Sequence, residues 1–129
     1  MKRKKRVLIV EDEESLLKLE TILLTVKGFE VIGAVTGEIA IDKIGVEKFD
    51  LVLLDIMLPD IDGFEVCRQI RKDPRTATVP VIMLTGKKSQ EDHDRGVLCG
   101  ANSYLVKPFK SAKIIEEINR LLLHSATGE

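Results

Sequence analysis

Glu11, Asp12, Asp55, Thr85 and Lys107 are the side chains in this sequence whose types and positions suit joint work on a phosphoryl group. Each directly follows a short apolar run: Val7 to Val10 before the two acids, Leu51 to Leu54 before Asp55, Val81 to Leu84 before Thr85, and Tyr104 to Val106 before Lys107. Carboxylates gathered in one place are electrostatically costly, and a hard divalent cation with oxygen ligands is the natural remedy. Mg²⁺ fits best, because it takes one or two carboxylates plus phosphate oxygens and keeps several waters. A carboxylate can also be the nucleophile towards phosphorus once charge on the transferring group is neutralised. Asp55 is that candidate, with the cation on one side and the Lys107 ammonium on the other. Thr85 is placed to donate its hydroxyl to a phosphoryl oxygen. Lys107 precedes Pro108, where a cis bond costs only ~0.5–1 kcal/mol, and a fixed turn there would aim the ammonium inward.

These residues meet only if the apolar runs lie side by side. The four runs, together with Val31 to Val35, are short, apolar or β-branched, and each is followed by a stretch of helical length. That pattern reads as five βα units. Apolar runs without alternation suit strands covered on both faces, as in the parallel sheets of α/β folds, and right-handed crossovers put helices on both sides. In an open sheet of this kind the site lies at the carboxyl ends of the strands, which is where the five residues fall. Leu16, Leu19, Leu23 and Val26 predict the inner face of one helix, and Ile114, Ile118, Leu121 and Leu122 that of another. Asp62 with Glu65 reads as a capping box before Phe64, Cys67 and Ile70, and Ser89 with Asp92 as another helix start. The helix from about Ser89 to Cys99 opens with seven polar or charged residues, so it should be the least stable of the five.

As a set, four segments resemble the receiver domains of two-component response regulators: Val7-Leu8-Ile9-Val10 leading into Glu11-Asp12-Glu13; Leu53-Leu54-Asp55-Ile56-Met57-Leu58-Pro59-Asp60-Ile61-Asp62-Gly63; Leu84-Thr85-Gly86; and Tyr104-Leu105-Val106-Lys107-Pro108-Phe109. The resemblance spans about residues 6 to 123. It implies an α/β, doubly wound (βα)₅ fold, flavodoxin-like, with five parallel strands in the order 2-1-3-4-5. It implies that Asp55 is the phosphoacceptor, that Glu11 and Asp12 are the metal-site acids beside it, and that Met57 gives a backbone carbonyl to the Mg²⁺. Thr85 and Tyr104 would be the switch pair, Lys107 the phosphate partner, and Pro108 part of the switching loop. The implied role is a signalling switch whose only catalysis is its own phosphotransfer and autodephosphorylation. A sensor histidine kinase or histidine phosphotransfer protein would lie upstream. Downstream would be a protein partner or a phosphorylation-dependent homodimer, meeting the surface of residues 89–99, 104 and 111–123. Two positions depart from the common pattern: Glu11 stands where members often carry Asp, and Gly86 where many have Ala.

At 129 residues, 44% apolar and 32% charged, the chain matches one globular domain. Residues 1–5 read as a basic arm, 6–123 as the domain and 124–129 as a polar tail, belonging either to a stand-alone regulator or to a longer protein. No apolar run approaches the ~20 residues of a membrane span, and only four apolar residues follow the basic leader, so neither membrane insertion nor export is expected. Lys2 to Arg6 hold five of the 20 basic residues, which leaves 15 against 21 acidic ones, a net of −6 that disfavours direct nucleic-acid binding. Cys67 and Cys99, far apart in sequence with apolar neighbours, are expected as free thiols in a reducing cytoplasm. His93 and His124 are expected to be solvated.

Other phosphate chemistries fit less well. A phosphatase of the haloacid-dehalogenase type resembles Asp-x-Asp, whereas Asp55 is followed by Ile56 and Met57. A flavodoxin-like binding module needs a glycine- and hydroxyl-rich loop after its first strand, where Glu11 to Glu14 would repel a phosphate. Gly86-Lys87-Lys88-Ser89 lacks the first glycine of a P-loop. Asp60-x-Asp62-Gly63 is not a calcium loop, since Leu58 would hold its first ligand position, and reads instead as a turn with helix caps.

Overall fold

A computed structural model describes residues 3–86, 94–95, 98–106 and 110–126, apart from the side chains of 124–126. Five strands form one parallel sheet in the order β2-β1-β3-β4-β5, with β1 Arg6–Val10, β2 Glu30–Ala34, β3 Leu51–Asp55, β4 Val81–Thr85 and β5 Ser103–Val106. Among the described residues four helices complete it: α1 Glu14–Val26, α2 Gly37–Val46, α3 Gly63–Lys72 and α4 Ser111–Ala126. Of the helix expected over Ser89 to Cys99, its Ser89–Asp92 start lies outside the described residues, while Asp94, Arg95, Leu98 and Cys99 are helical.

Every residue of β3 and β4 is buried, which is why these runs show no polar alternation. Successive side chains still point to opposite faces and build two cores. Leu8, Val10, Val52, Leu54 and Met83 pack with Ile44, Phe64, Cys67 and Ile70 beneath α2 and α3. Val7, Ile9, Leu51, Leu53 and Leu84 pack with Leu24, Ile114 and Ile118 beneath α1 and α4. Each such side chain contributes about 1.5–3 kcal/mol on burial, so the sheet is held from both sides. Among the described residues no helix is long and apolar enough to cross a membrane.

The expected inner face of α4 is the observed one, with Ile114, Ile118, Leu121 and Leu122 all buried. For α1 the expected helix forms, but its stripe is only partly inward, with Leu23 packed against the core. Leu19 is 63% and Val26 77% exposed, and the helix turns Leu24 and Glu20 inward instead. Leu16, Leu17, Leu19, Ile22, Leu23, Leu24 and Val26 spread around more than half of the helix, so periodicity alone could not choose a face, and packing against the sheet chose it. Of the basic leader, Arg3 reaches Asp50 at 3.6 Å, while Arg6 lies in β1 and binds Glu47 at 2.7 Å.

Candidate functional site

Glu11 leaves the end of β1 with its N–H donated to the Ala34 carbonyl oxygen at 3.0 Å, so the strand's direction carries the acid over the sheet edge. Its carboxylate is buried and accepts the Glu13 N–H at 3.2 Å; Asp12, next to it, is exposed. Asp55 ends β3 and is 5% exposed. The Met57 N–H donates to Asp55 Oδ1 at 3.0 Å and fixes the side chain from its own loop. Met57 itself turns its side chain to solvent, 58% exposed. Carboxylate oxygens of Glu11, Asp12 and Asp55 all lie within 4.8 Å of one another.

Three carboxylates at that spacing repel pairwise by roughly 3 kcal/mol at an effective dielectric near 20. The donor set is entirely hard oxygen, which suits Mg²⁺ or Ca²⁺ and not a soft metal. Two oxygens bonded to one Mg²⁺ at about 2.0–2.1 Å stand at most about 4.2 Å apart, so a small side-chain rotation or one bridging water brings this cluster to that size. The residues fit the ion.

Three further residues, Ile56, Gly63 and Asp60, shape the loop after β3. Ile56 donates its N–H to the Leu84 carbonyl, and its own carbonyl accepts the N–H groups of Leu58 and Gly63, folding the loop back on the strand end. A Cβ at Gly63 would lie 2.5 Å from the Asp55 carbonyl oxygen and 2.8 Å from Ile56 Cα, so only glycine lets α3 start against the phosphoacceptor candidate. The signal was visible as an Asp-Gly pair ahead of a helix. Asp60 spans to another element: its carboxylate accepts the N–H groups of Gly37 at 2.9 Å and Glu38 at 2.8 Å, capping α2 from outside. Partial burial works to raise the Asp60 pKa, but the N–H groups of Glu38 and Gly37 outweigh it and hold the carboxyl below its ordinary value. Asp62 caps α3 through the Glu65 N–H at 2.9 Å, as expected. Glu65 turns its carboxylate to Arg68 and Gln69.

Thr85 ends β4 and is fully buried. Tyr104 lies on the adjacent β5 opposite Met83, half-buried against the core beneath α2 and α3. Thr85 is two residues beyond Met83, so on the pleated pair it faces the same side of the sheet as Tyr104's partner. Lys107 and Pro108, the amine and the turn of the expected site, lie outside the described residues.

Residues 7–119 match the model of the response regulator receiver domain. The chain belongs to that family. It is 40% identical over 121 residues to the alkaline phosphatase synthesis transcriptional regulatory protein PhoP of Bacillus subtilis, an alignment covering 94% of this chain and 50% of PhoP. The chain thus spans about half the length of the curated relatives it matches. Among solved structures, a CheY-like response regulator receiver domain protein from Methanospirillum hungatei JF-1 superposes with a TM-score of 0.93 at 32% identity, covering 98% of this chain and all of that one. The receiver domain of the sensor histidine kinase PA1611 from Pseudomonas aeruginosa PAO1, with a magnesium ion coordinated in its active-site cleft, gives 0.87 at 30% identity over 93% of this chain and 98% of that one. The chain is therefore a receiver domain with the phosphoacceptor signalling role of two-component response regulators, on the expected flavodoxin-like sheet.

Proposed function

We infer that Asp55 is the phosphoacceptor, taking a phosphoryl group from a phosphohistidine on a sensor histidine kinase or a histidine phosphotransfer protein. The observation that carries this reading is the convergence of Asp55, held by the Met57 N–H, with Glu11 and Asp12 within 4.8 Å. Mg²⁺, when bound, neutralises the acids and the incoming phosphoryl oxygens. Glu11 and Asp12 would hold the ion, Asp12 the more directly, because the buried Glu11 is already tied to the Glu13 N–H. The Met57 backbone carbonyl would complete the protein's share of the metal site. Asp55 Oδ2 attacks phosphorus while the Met57 N–H keeps Oδ1 in place, and the histidine nitrogen leaves. Lys107 stabilises the product oxygens, and Thr85 donates its hydroxyl to one of them.

The phosphorylated domain then presents residues 89–99, Tyr104 and 111–123 to a protein partner or a second copy. PhoP is named a transcriptional regulatory protein. The acidic body of this domain would reach such an output through protein contact and not by gripping DNA itself.

Acetyl phosphate with Mg²⁺ tests the reading. One acid-labile label is expected on wild type, none on Asp55→Asn and none in the presence of a chelator. Asp12→Ala should weaken Mg²⁺ binding more than Glu11→Ala. Acid-stable label on another residue, or label that survives chelation, would refute the assignment.

A further inference from the structure

Cys67 and Cys99 stand 32 positions apart in sequence yet meet in the core between α3 and the residues ahead of β5. Cys67 is fully buried on the inner face of α3, and Cys99 is 6% exposed. The Cys67 thiol donates to the Cys99 carbonyl oxygen at 3.3 Å, which sets its sulfur against residue 99. Both are free thiols. A fixed cation stands beside them. Arg71 Nε, Nη1 and Nη2 donate to the Gly100 carbonyl at 3.0 Å, the Val79 carbonyl at 2.6 Å and Asn102 Oδ1 at 2.7 Å. Gly100 follows at φ +99°, where a side chain would be strained, so the turn that carries Cys99 is held in one shape.

The two sulfurs are chemically unequal. A Cys99 thiolate would be stabilised first by the Cys67 S–H turning to it, with help from the Ala101 N–H, Arg68 and Arg71; together these outweigh burial and lower the Cys99 thiol to about 7. The same hydrogen bond, with burial, pushes Cys67 above the ordinary thiol range. Cys99 is also the more exposed, so the reactive sulfur is the one a small oxidant meets first.

We propose that Cys67 and Cys99 form a dithiol that a peroxide closes to an intrachain disulfide, fastening α3 to residues 98–100. The Cys99 thiolate attacks one peroxide oxygen, the O–O bond breaks, and Cys99 becomes a sulfenic acid as hydroxide leaves. Cys67 sulfur then attacks Cys99 sulfur; the S–S bond forms, the S–O bond breaks, and the departing oxygen leaves as water with the Cys67 proton. Two thiols and one peroxide become one disulfide and two waters. The lock lies on the segment assigned above to partner contact, but its formation does not depend on that assignment.

The test is peroxide treatment of the native protein, followed by alkylation and mass measurement before and after reduction with dithiothreitol. Alkylatable thiols should fall from two to none, with the loss of two hydrogens, and both should return on reduction. In Cys67→Ala, Cys99 should persist as a sulfenic acid that dimedone traps, whereas wild type should yield none. Amide hydrogen exchange at Leu98, Cys99 and Gly100 should slow about tenfold in the disulfide form. Two alkylatable thiols after peroxide, a bond between chains, or a disulfide that forms only in denaturant would overturn the proposal.

Discussion

Gly63 shows how closely chemistry and backbone are joined at the end of β3. Its missing side chain is what allows α3 to begin against the Asp55 carbonyl, and a methyl group there would overlap backbone that cannot move without moving Asp55. Gly63→Ala should therefore cost about 2–3 kcal/mol, the range of an overpacked core, and lower the melting temperature by roughly 5–10 °C. Labelling by acetyl phosphate should fall with it, because the carboxylate and the Met57 N–H that aims it shift together. A variant that melts with wild type and labels normally would show that the loop relaxes freely. Asp55, Glu11 and Asp12 were legible in the sequence because an acid directly after a buried strand has one place to go. Gly63 and Asp60 were legible only as part of a turn with helix caps, since their contacts with Asp55 and with α2 are ones that no local pattern encodes.

At the scale of elements, caps and faces divide differently between sequence and structure. Asp62 was readable as a cap because it serves the helix that follows it, and Asp60 was not readable as the cap of α2 because it lies 23 residues beyond Gly37. Asp60 also carries a pH signature. Its folded pKa lies below the ordinary 3.8, so the stability it contributes is present above that value and is lost as pH falls through the lower folded value. Asp60→Asn keeps an acceptor and removes the titration; its acid unfolding curve should lose part of the steepness below pH ~4 that wild type shows. An unchanged acid limb would count against the contact. The face of α1 was legible only as helical, for the reason that leucine is nearly everywhere on it. Leu24→Ala should cost about 2–5 kcal/mol in denaturant unfolding, while Val26→Ala, in the predicted stripe but exposed, should stay within about 0.5 kcal/mol. Equal costs would restore the original face.

For the whole molecule, right-handed crossovers set the hand of each βα unit but leave the strand order open; the order came with the receiver-domain resemblance, and it brings Glu11, Asp55 and Thr85 to the carboxyl ends of adjacent strands. What the domain does with a phosphoryl group depends on how those strand ends are coupled to its surface. Thr85 is fully buried at the end of β4, and Tyr104 sits half-buried on the neighbouring strand. On the function proposed above, a dianionic group on Asp55 would offer the Thr85 hydroxyl a strong acceptor and draw the end of β4 towards the site. That would open space on the sheet face next to β5, into which the Tyr104 ring would turn to bury further area. Helical Arg95 is tied to α3 by contacts that such a shift can tune: it stands 4.1 Å from the centre of the Phe64 ring and 3.9 Å from Asp62. Phe64 in turn follows Gly63, whose N–H bonds the loop behind Asp55. A phosphoryl group shifts this equilibrium only by its preference for one state, so the two states must lie within a few kcal/mol of each other. Beryllofluoride with Mg²⁺ should move the amide signals of Asp94, Arg95, Leu98, Tyr104 and α4 as well as those around Glu11 and Asp55. In Lys107→Ala, Mg²⁺ should still bind and the loop signals near Asp55 should still move, while the response at Tyr104 and 94–99 should shrink. Changes confined to the loops around Glu11 and Asp55 in wild type would leave a domain that takes up phosphate without passing the event to its surface.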